Sequence, residues 1–165
     1  MKCKWVFKRK MNADGTVARH KARLVAKGFT QQFGLDYFDT FSPTVSFSTL
    51  RLLFQLAVQY DFDIQQTDVD SAFLYADLQE EIYIEQPEGF RQGDKLGLVC
   101  KLLKAVYGLK QAPFEWNGLL HSFLVGYGMH QLKCDSACYA LMTPSVVAYA
   151  AVYVDDVLIF CSDPN

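Results

Sequence analysis

Two stretches of the chain carry apolar residues at the spacing of an amphipathic helix. The first is predicted to begin with Ser48 as its N-cap and to run to about Tyr60. The second is predicted to begin near Pro113, which suits a first helical turn, and to end at Gly128. The apolar positions are Leu50, Leu53, Phe54, Ala57 and Val58 in the first helix and Trp116, Leu119, Leu120, Phe123, Leu124 and Tyr127 in the second. The second helix is expected to cover a sheet.

The first half of the chain also contains alternating polar and apolar runs that predict strands. Residues 5–10 and 22–26 are predicted to form a hairpin around a turn at residues 12–15. Residues 61–69 alternate as a strand does, which places Asp68 at the strand's C-terminal end, and a short helix is predicted from about Ala72.

Short strands are predicted in the second half of the chain as well. Residues 82–84 and 99–103 flank a loop with Pro87, Gly89 and Gly93 and are expected to form an inserted hairpin. Residues 146–153 and 157–161 are β-branched, apolar runs separated by only three residues, which predicts a tight hairpin. Between the first hairpin and the first helix, residues 28–45 are predicted to be an ordered loop rich in aromatic residues.

The composition indicates one globular unit. The chain has 165 residues, 51% of them hydrophobic and 15% aromatic, so it has enough apolar surface to offset the entropy of folding. No run of 18 apolar residues and no signal sequence is visible, so we expect an intracellular protein without a membrane span. Five scattered cysteines predict reduced thiols, and Cys134 and Cys138, a C-x3-C pair without further ligands, are expected to be ordinary buried cysteines rather than a zinc site.

The charge is distributed unevenly along the chain. Nine of the sixteen Lys and Arg residues lie in residues 1–28, beside Asp14 as the single acid, so this segment carries +8 and the rest of the chain −10. A basic segment of this kind is typical of contact with a phosphate backbone. The alternative is a hairpin whose Lys and Arg side chains are simply solvated.

Asp155 and Asp156 lie between two apolar strands and are the strongest candidates for chemistry. Two neighbouring carboxylates repel each other, and partial burial adds a desolvation penalty, so a divalent cation would stabilise the pair. Magnesium suits such a site, and a second ion about 3.5–4 Å away would complete a two-metal phosphoryl-transfer centre. A third acid is needed, for which Asp68 is the best placed and Asp70 the alternative. The competing interpretation of the pair is a solvent-exposed turn.

Five motifs identify a known family. Tyr153-Val154-Asp155-Asp156 resembles the Y-x-D-D signature of reverse transcriptases. Four further segments resemble the Ty1/copia class of retrotransposon polymerases in the same order: residues 21–31 (KARLVAKGFTQ), 41–45 (FSPTV), 66–74 (QTDVDSAFL) and 107–113 (YGLKQAP). The resemblance covers nearly the whole chain.

The resemblance implies an α+β fold and an RNA-directed DNA polymerase. Residues 1–60 and about 86–112 would form the fingers, and residues of about 61–85 and 113–165 the palm, an antiparallel sheet backed by helices. In the family's D-V-x-x-A-F-L block the first Asp is catalytic, which selects Asp68 over Asp70. Asp155 is then the second metal ligand, and Asp156 completes the triad.

The resemblance also implies ligands and their contacts. The cofactor would be two Mg²⁺ ions, with Mn²⁺ as a substitute, and the substrates an RNA template, a DNA or RNA primer and a deoxynucleoside triphosphate (dNTP). Lys27 and Arg23 match the region that grips the triphosphate. Phe73 matches the ring that excludes a ribose 2′-oxygen, with a plain core phenylalanine as the alternative. Tyr107 and Gly108 match a turn that abuts the nascent base pair, with an ordinary turn before the helix as the alternative.

Departures from the family pattern leave two functions open. Phe114 replaces the basic residue of the common A-P-R-x-W-Y segment, and the chain ends at Asn165, before the expected thumb and ribonuclease H (RNase H). One hypothesis is a polymerase core that works with the rest of a Pol polyprotein, including integrase and RNase H, in cytoplasmic virus-like particles or the nucleus. The other is a truncated, noncatalytic relic that keeps the fold and a basic nucleic-acid-binding surface. A palm-like nucleotide cyclase would need its own nucleotide signature, which the sequence lacks.

Overall fold

A computed structural model describes residues 1–92 and 97–163, and it has an α+β fold. The strands are β1 (Cys3–Met11), β2 (Val17–Ala26), β3 (Asp63–Asp68), β4 (Tyr83–Glu85), β5 (Val99–Lys101), β6 (His130–Gln131), β7 (Cys138–Met142), β8 (Val147–Tyr153) and β9 (Asp156–Cys161). The α helices are α1 (Phe47–Tyr60) and α2 (Ala112–Gly126), and two short 3-10 helices span Gly28–Thr30 and Ala72–Tyr75. Gly93, assigned from sequence to a loop, lies outside the described residues.

The chain divides into two compact units. The first, called here the hairpin unit, comprises Met1–Thr40 and Phe73–Glu115, and the second, the sheet unit, comprises Phe41–Ala72 and Trp116–Asn165. These limits differ from the predicted subdomain limits near residues 60, 85 and 112. Residues 41–60 belong with the sheet because Leu53 and Ala57 of α1 pack on it, although Phe54 and Val58, predicted to lie on the same apolar side, are exposed.

The hairpin unit is built from two antiparallel strand pairs, as the sequence predicted. β1 pairs with β2 from Cys3 opposite Ala26 to Met11 opposite Val17, so the strands extend further than their apolar patterns. Asp14 stabilises the turn by accepting a hydrogen bond from the Thr16 amide at 2.9 Å. β4 pairs with β5, which confirms the inserted hairpin.

The sheet unit contains a five-stranded antiparallel sheet in the order β3-β9-β8-β7-β6. The strand after Asp61 and the final hairpin are confirmed, whereas β6 and β7 were not predicted. β6 has only two residues, and β7 has a continuous buried start at Cys138 that shows no alternation. Burial raises the pKa of the Cys138 thiol to about 11, so the side chain remains protonated at neutral pH and packs as a small apolar group.

The helix α1 covers one face of this sheet. Leu53 and Ala57 of α1 pack with Phe160 of β9, and Phe54 meets Phe160 edge-on at 5.3 Å between ring centroids. The predicted N-cap was wrong by two residues. Ser46 caps the helix by accepting a hydrogen bond from the Thr49 amide at 3.1 Å, while Ser48 lies inside the first turn.

The helix α2 approaches the other face, where His121 Nδ1 lies 3.0 Å from the Tyr139 hydroxyl of β7. The buried residues of α2 are Ala112, Trp116, Leu120 and Leu124, at intervals of four positions. The other predicted apolar positions, Leu119, Phe123 and Tyr127, are exposed to solvent. The helix ends before Gly128, which adopts a left-handed φ of 99° as a helix terminator does.

Asp135, in the loop before β7, joins α1 to the sheet. Its Oδ2 accepts hydrogen bonds from the Ser46 amide at 3.0 Å and the Thr49 hydroxyl at 2.6 Å, and its Oδ1 accepts one from the Ala137 amide at 3.1 Å. Burial opposes ionisation, but the hydrogen bonds from Thr49, Ser46 and Ala137 outweigh it and hold the pKa of Asp135 below its ordinary value.

Replacing Asp135 with Ala is therefore expected to lower the free energy of unfolding by about 1–3 kcal/mol at neutral pH, because three donors lose their acceptor. The exposed Asp63, replaced in the same way, is the matched control. A carboxylate with a lowered pKa stabilises the fold above its unfolded-state pKa of about 3.9 and loses that effect as the pH falls through its folded-state pKa. Urea unfolding at pH 7 and pH 3 should thus show a smaller difference at pH 3. A difference independent of pH would contradict this role of the charge.

Candidate active site

The loop between β8 and β9 carries the acidic pair. Tyr153 pairs with Asp156, so Val154 and Asp155 are the two turn residues. Val154 has a φ of 59°, a left-handed value that is a genuine outlier for a β-branched residue. Such a conformation costs on the order of 1–3 kcal/mol and persists only where its surroundings enforce it.

Two hydrogen bonds hold this turn from outside the hairpin. The buried Trp116 of α2 donates its indole N–H to the Val154 carbonyl at 2.7 Å. Val69, just past β3, donates its amide to the Asp155 carbonyl at 3.0 Å. The peptide groups on both sides of Asp155 are therefore anchored to other parts of the sheet unit.

The third acid lies on the neighbouring strand. Asp68 is directly opposite Asp156 in the β3–β9 register, and Asp156 is opposite Tyr153 of β8. Directly paired residues share a face, so the three side chains form one row across the ends of three strands. Gln66, two residues before Asp68 and on the same face, donates its amide to Asp156 Oδ1 at 3.2 Å. Asp68 is exposed, whereas Asp155 and Asp156 are half-buried.

These carboxylates fit a site that is completed by substrate. Within residues 1–92 and 97–163, no three His, Cys, Asp or Glu side chains converge as a ready-made metal site. Magnesium is commonly bound by only one or two carboxylates together with phosphate and water oxygens. A row of Asp68 and Asp156 beside the turn residue Asp155 matches that oxygen chemistry.

The hairpin unit brings together a second set of predicted site residues. The Arg23 guanidinium carbon lies 5.2 Å from the centroid of the Tyr107 ring, within cation–π range. Phe73 also packs on Tyr107, with 4.8 Å between ring centroids. Phe73 is only 9% exposed, as expected of a core residue.

Gly108 is required by a close approach of two backbones. The Ala26 amide donates to the Tyr107 carbonyl at 2.8 Å, and a Cβ on Gly108 would lie 2.1 Å from the Ala26 oxygen. A Cβ on Gly28 would likewise lie 1.9 Å from the Gly108 oxygen. The Tyr107–Gly108 turn therefore packs directly on the end of β2.

A buried pair of amides supports this contact. Gln31, 5% exposed, accepts a hydrogen bond from the Lys110 amide at 2.8 Å and donates to Gln111 Oε1 at 2.9 Å. Gln111 in turn donates to the Asp36 carbonyl at 2.9 Å and to Glu80 Oε2 at 3.1 Å. Buried polar groups that are fully paired specify one arrangement of the loops that carry them.

Lys27, between Ala26 and Gly28 in the chain, is the remaining predicted nucleotide-binding residue. It lines a groove of about 740 Å³ whose aromatic walls are Trp5, Phe7 and Phe90. The Trp5 and Phe90 rings lie 5.7 Å apart, and the Trp5 indole donates to the Glu88 carbonyl at 3.0 Å. The structure thus places the Arg23 guanidinium at the Tyr107 ring and places Lys27 in the lining of the groove.

The Lys and Arg residues of the first 28 positions keep their charges uncompensated. Among the described residues, ion pairs are formed by Lys101 with Glu81 and by Lys104 with Asp77, and none involves a cation of residues 1–28. The basic surface of β1 and β2 is therefore available to an anionic partner.

Sequence reasoning missed Gln66, Gln31 and Gln111 and gave Trp116 only a packing role. Gln66 could have been identified from the sequence, because it lies two residues before Asp68 and therefore on the same face of the strand. The indole bond of Trp116 and the pairing of Gln31 with Gln111 join segments far apart in the chain. Nothing in the local pattern indicates such pairings.

The comparisons with known proteins agree with the family that the motifs indicate. The family model described as reverse transcriptase (RNA-dependent DNA polymerase) matches residues 1–165. The chain belongs to this family.

Its relatives are polyproteins of transposable elements. Over 163 residues the chain is 44% identical to the retrovirus-related Pol polyprotein from transposon RE1 of Arabidopsis thaliana, covering 99% of this chain and 11% of that protein. It is 44% identical over 164 residues to the corresponding polyprotein from transposon TNT 1-94 of Nicotiana tabacum, covering 99% and 12%. The Ty1-H Gag-Pol polyprotein of Saccharomyces cerevisiae is 35% identical over 167 residues, covering 98% and 8%. The resemblance to Ty1/copia elements is confirmed.

The chain spans about a tenth of the length of these curated relatives. No solved structure matched the chain. In the part of the chain that the structure describes, no helix has the length and apolar character needed to cross a membrane.

Three alanine substitutions in the hairpin unit distinguish two reasons why a glycine is required. One is a steric clash of the added Cβ, and the other is strain from a positive φ. Gly28→Ala adds a backbone clash and should destabilise by about 1–3 kcal/mol. Gly34→Ala adds only strain, because Gly34 has a φ of +81° with open space around it, and should cost about 1–2 kcal/mol. Gly108→Ala combines a φ of +92° with a clash and should have the largest effect.

Gly118, inside α2, is the control, because a Cβ added there would meet no atom within 4 Å. Its replacement by Ala should be neutral or stabilise by about 0.5–1 kcal/mol. Urea unfolding measures all four variants. Equal losses for Gly34→Ala and Gly108→Ala would contradict the close approach of the two backbones.

Proposed function

We propose that this chain is the catalytic core of the RNA-directed DNA polymerase of a copia-type retrotransposon, adding nucleotides to a primer 3′-hydroxyl by a two-metal mechanism. The supporting observation is the strand register, which sets Asp68 opposite Asp156. Beside this pair, the peptide groups on both sides of Asp155 are anchored by hydrogen bonds from Trp116 and Val69. Carboxylates held in this way in a reverse transcriptase family member suit phosphoryl transfer.

All three carboxylates take part in this proposal. Asp68, Asp155 and Asp156 would together hold the two Mg²⁺ ions. When bound, the ions lower the pKa of the primer hydroxyl and stabilise charge on the phosphate. Gln66 orients Asp156 through its amide hydrogen bond, so that one oxygen of Asp156 has a fixed direction.

We assign nucleotide contacts to the hairpin unit. Arg23 is the better candidate for a phosphate contact than Lys27, because its guanidinium lies at Tyr107, next to the small Gly108. Phe73 supports Tyr107 by packing. Its further role as a barrier to ribose rests on the family resemblance, and increased ribonucleotide incorporation by Phe73→Val would support it.

The two units correspond to the subdomains of the family in this proposal. The sheet unit is the palm, because it carries the acidic row on an antiparallel sheet with a helix on each face. The hairpin unit represents the fingers, because it carries Arg23 and the basic surface of β1 and β2. The partners are an RNA template, a primer, a dNTP and the rest of the Pol polyprotein.

The groove lined by residues of β1 and β2 offers a further contact for nucleic acid. Its walls present the rings of Trp5, Phe7 and Phe90 next to Lys4 and Lys27. Stacking on aromatic rings contributes about 1–3 kcal/mol per base, and nearby cations attract the backbone. A strand of nucleic acid fits both features.

One observation favours the noncatalytic alternative. Phe114, where the family commonly has a basic residue, is 38% exposed and so places an apolar ring in solvent. A relic of this kind would still fold and bind nucleic acid through β1 and β2. Catalysis is therefore the property that separates the two functions.

Primer extension on an RNA template tests the catalytic proposal. We expect magnesium-dependent incorporation from this chain extended through the thumb segment of its reading frame, and a loss of at least about 100-fold in Asp68→Asn and Asp155→Asn, since each removes a ligand charge. Asp70→Asn, beyond the end of β3, is the matched control and should retain incorporation. Incorporation by the extended wild type no higher than that of its Asp155→Asn variant would reject catalysis.

Salt titration tests the basic surface separately. Replacing Lys8, Arg9 and Lys10 with Gln should weaken binding of an RNA–DNA hybrid and reduce the slope of log K against log salt by about 0.7–0.9 for each phosphate that is no longer neutralised. Lys101→Gln and Lys104→Gln are controls, because these cations already pair with Glu81 and Asp77. Unchanged slopes in the triple variant would reject the surface.

A further inference from the structure

The indole of Trp116 meets the acidic turn at its strained residue. The Val154 carbonyl, which accepts the indole N–H at 2.7 Å, belongs to the peptide that leads directly into Asp155. Val154 is also the residue with a φ of 59°. Within the β8–β9 hairpin, Val154 is the residue whose φ is disfavoured for its residue type. The hydrogen bond from Trp116 acts on this residue.

We propose that Trp116 is a positioning residue, whose indole N–H holds Val154 in the left-handed conformation and thereby fixes Asp155 for metal binding. This role rests on the proposed function, which supplies the metal that Asp155 would bind. The hydrogen bond and the geometry of the turn do not depend on that function. Trp116 acts through Val154 and is not itself a ligand.

The geometry around Asp155 supports this role. The peptide before Asp155 is fixed by Trp116, and the peptide after it is fixed by the Val69 amide at 3.0 Å. With both flanking peptides anchored, only the side-chain torsions of Asp155 remain to be set. The Val69 bond uses the end of β3, one residue beyond Asp68, so it also keeps Asp155 beside the opposite acid.

The anchor itself is rigid. Trp116 is 5% exposed, lies in the first half of α2 and belongs to the buried side of that helix together with Leu120 and Leu124. A buried indole has few alternative rotamers, so its N–H points in one direction. In water, by contrast, the Val154 carbonyl could exchange hydrogen bonds without any preference for φ.

Nuclear magnetic resonance tests the proposal without metal. Indole nitrogen labelling of the 165-residue chain gives two signals, assigned with Trp116→Phe and Trp5→Phe. Backbone chemical shifts of Val154 report its φ. In Trp116→Phe we expect these shifts to move away from left-handed values and the Asp155 amide to exchange faster, whereas Trp5→Phe, which loses an indole bond to Glu88 in the hairpin unit, should leave both unchanged. Unchanged Val154 shifts in Trp116→Phe would overturn the proposal.

A double-variant cycle separates positioning from packing. Glycine adopts a positive φ freely, so Val154→Gly removes the need for the indole to enforce that conformation. Trp116→Phe alone should weaken Mg²⁺ binding about 10- to 100-fold, as loss of a supporting partner around a metal site does. In a protein that already carries Val154→Gly, Trp116→Phe should weaken Mg²⁺ binding much less. Equal losses in both backgrounds would show that Trp116 only packs.

The outcomes distinguish this proposal from the proposed function. Mg²⁺ binding is followed by the Asp155 amide shift in a titration with MgCl₂ in the presence of a dNTP, whose phosphate oxygens complete the coordination of the ion, so it needs no polymerase activity. If the wild type showed no Mg²⁺-dependent shift while Trp116→Phe altered Val154, the proposed metal site would fail and the control of the turn by Trp116 would stand. If the wild type bound Mg²⁺ and Trp116→Phe bound it equally well, positioning would fail and the metal site would stand.

Discussion

The register between β9 and its neighbours decides where the acids of the sheet unit lie. Phe160 is completely buried against α1, and it shares a face of β9 with Asp156, because side chains four positions apart in a strand point the same way. Slipping β9 by one residue would turn Phe160 out of the core, whose burial contributes about 1.5–3 kcal/mol. The pairing that buries Phe160 also brings Asp68 opposite Asp156. Apolar packing at one end of the sheet therefore positions carboxylates at the other.

The strand that leads into the acidic turn is braced by segments distant in sequence. Val152 donates its amide to the Ala137 carbonyl at 2.8 Å and accepts at its own carbonyl from the Val45 amide at 2.9 Å. Asp135 ties the same two segments together through Ser46 and Ala137. The residues just before the turn therefore have little freedom. Anchoring of this kind is what a site needs when its charges must be in place before the substrate arrives.

Local patterns predicted most elements because the helices and longer strands carry periodic apolar residues. The acidic hairpin and the basic hairpin were found in this way, and the motif identified the family. The failures have physical causes. Ser46 and Ser48 both suit an N-cap, and the choice of Ser46 depends on Asp135, 89 positions away. Half of the apolar residues of α2 are exposed, so its pattern does not show which side is buried. The hydrogen bonds of Trp116 and Gln66 depend on how separate elements pack, and no local signal records them.

The valine in the turn makes the turn's geometry depend on contacts from outside the hairpin. Glycine would adopt the same φ without strain and so would not need those contacts. Strain of about 1–3 kcal/mol is tolerable in a domain whose net stability is typically about 5–15 kcal/mol, provided that specific contacts offset it. The Trp116 indole and the Val69 amide are those contacts. With these hydrogen bonds on both sides of Asp155, the backbone of the turn is held from outside the hairpin, which favours a fixed direction for the Asp155 carboxylate.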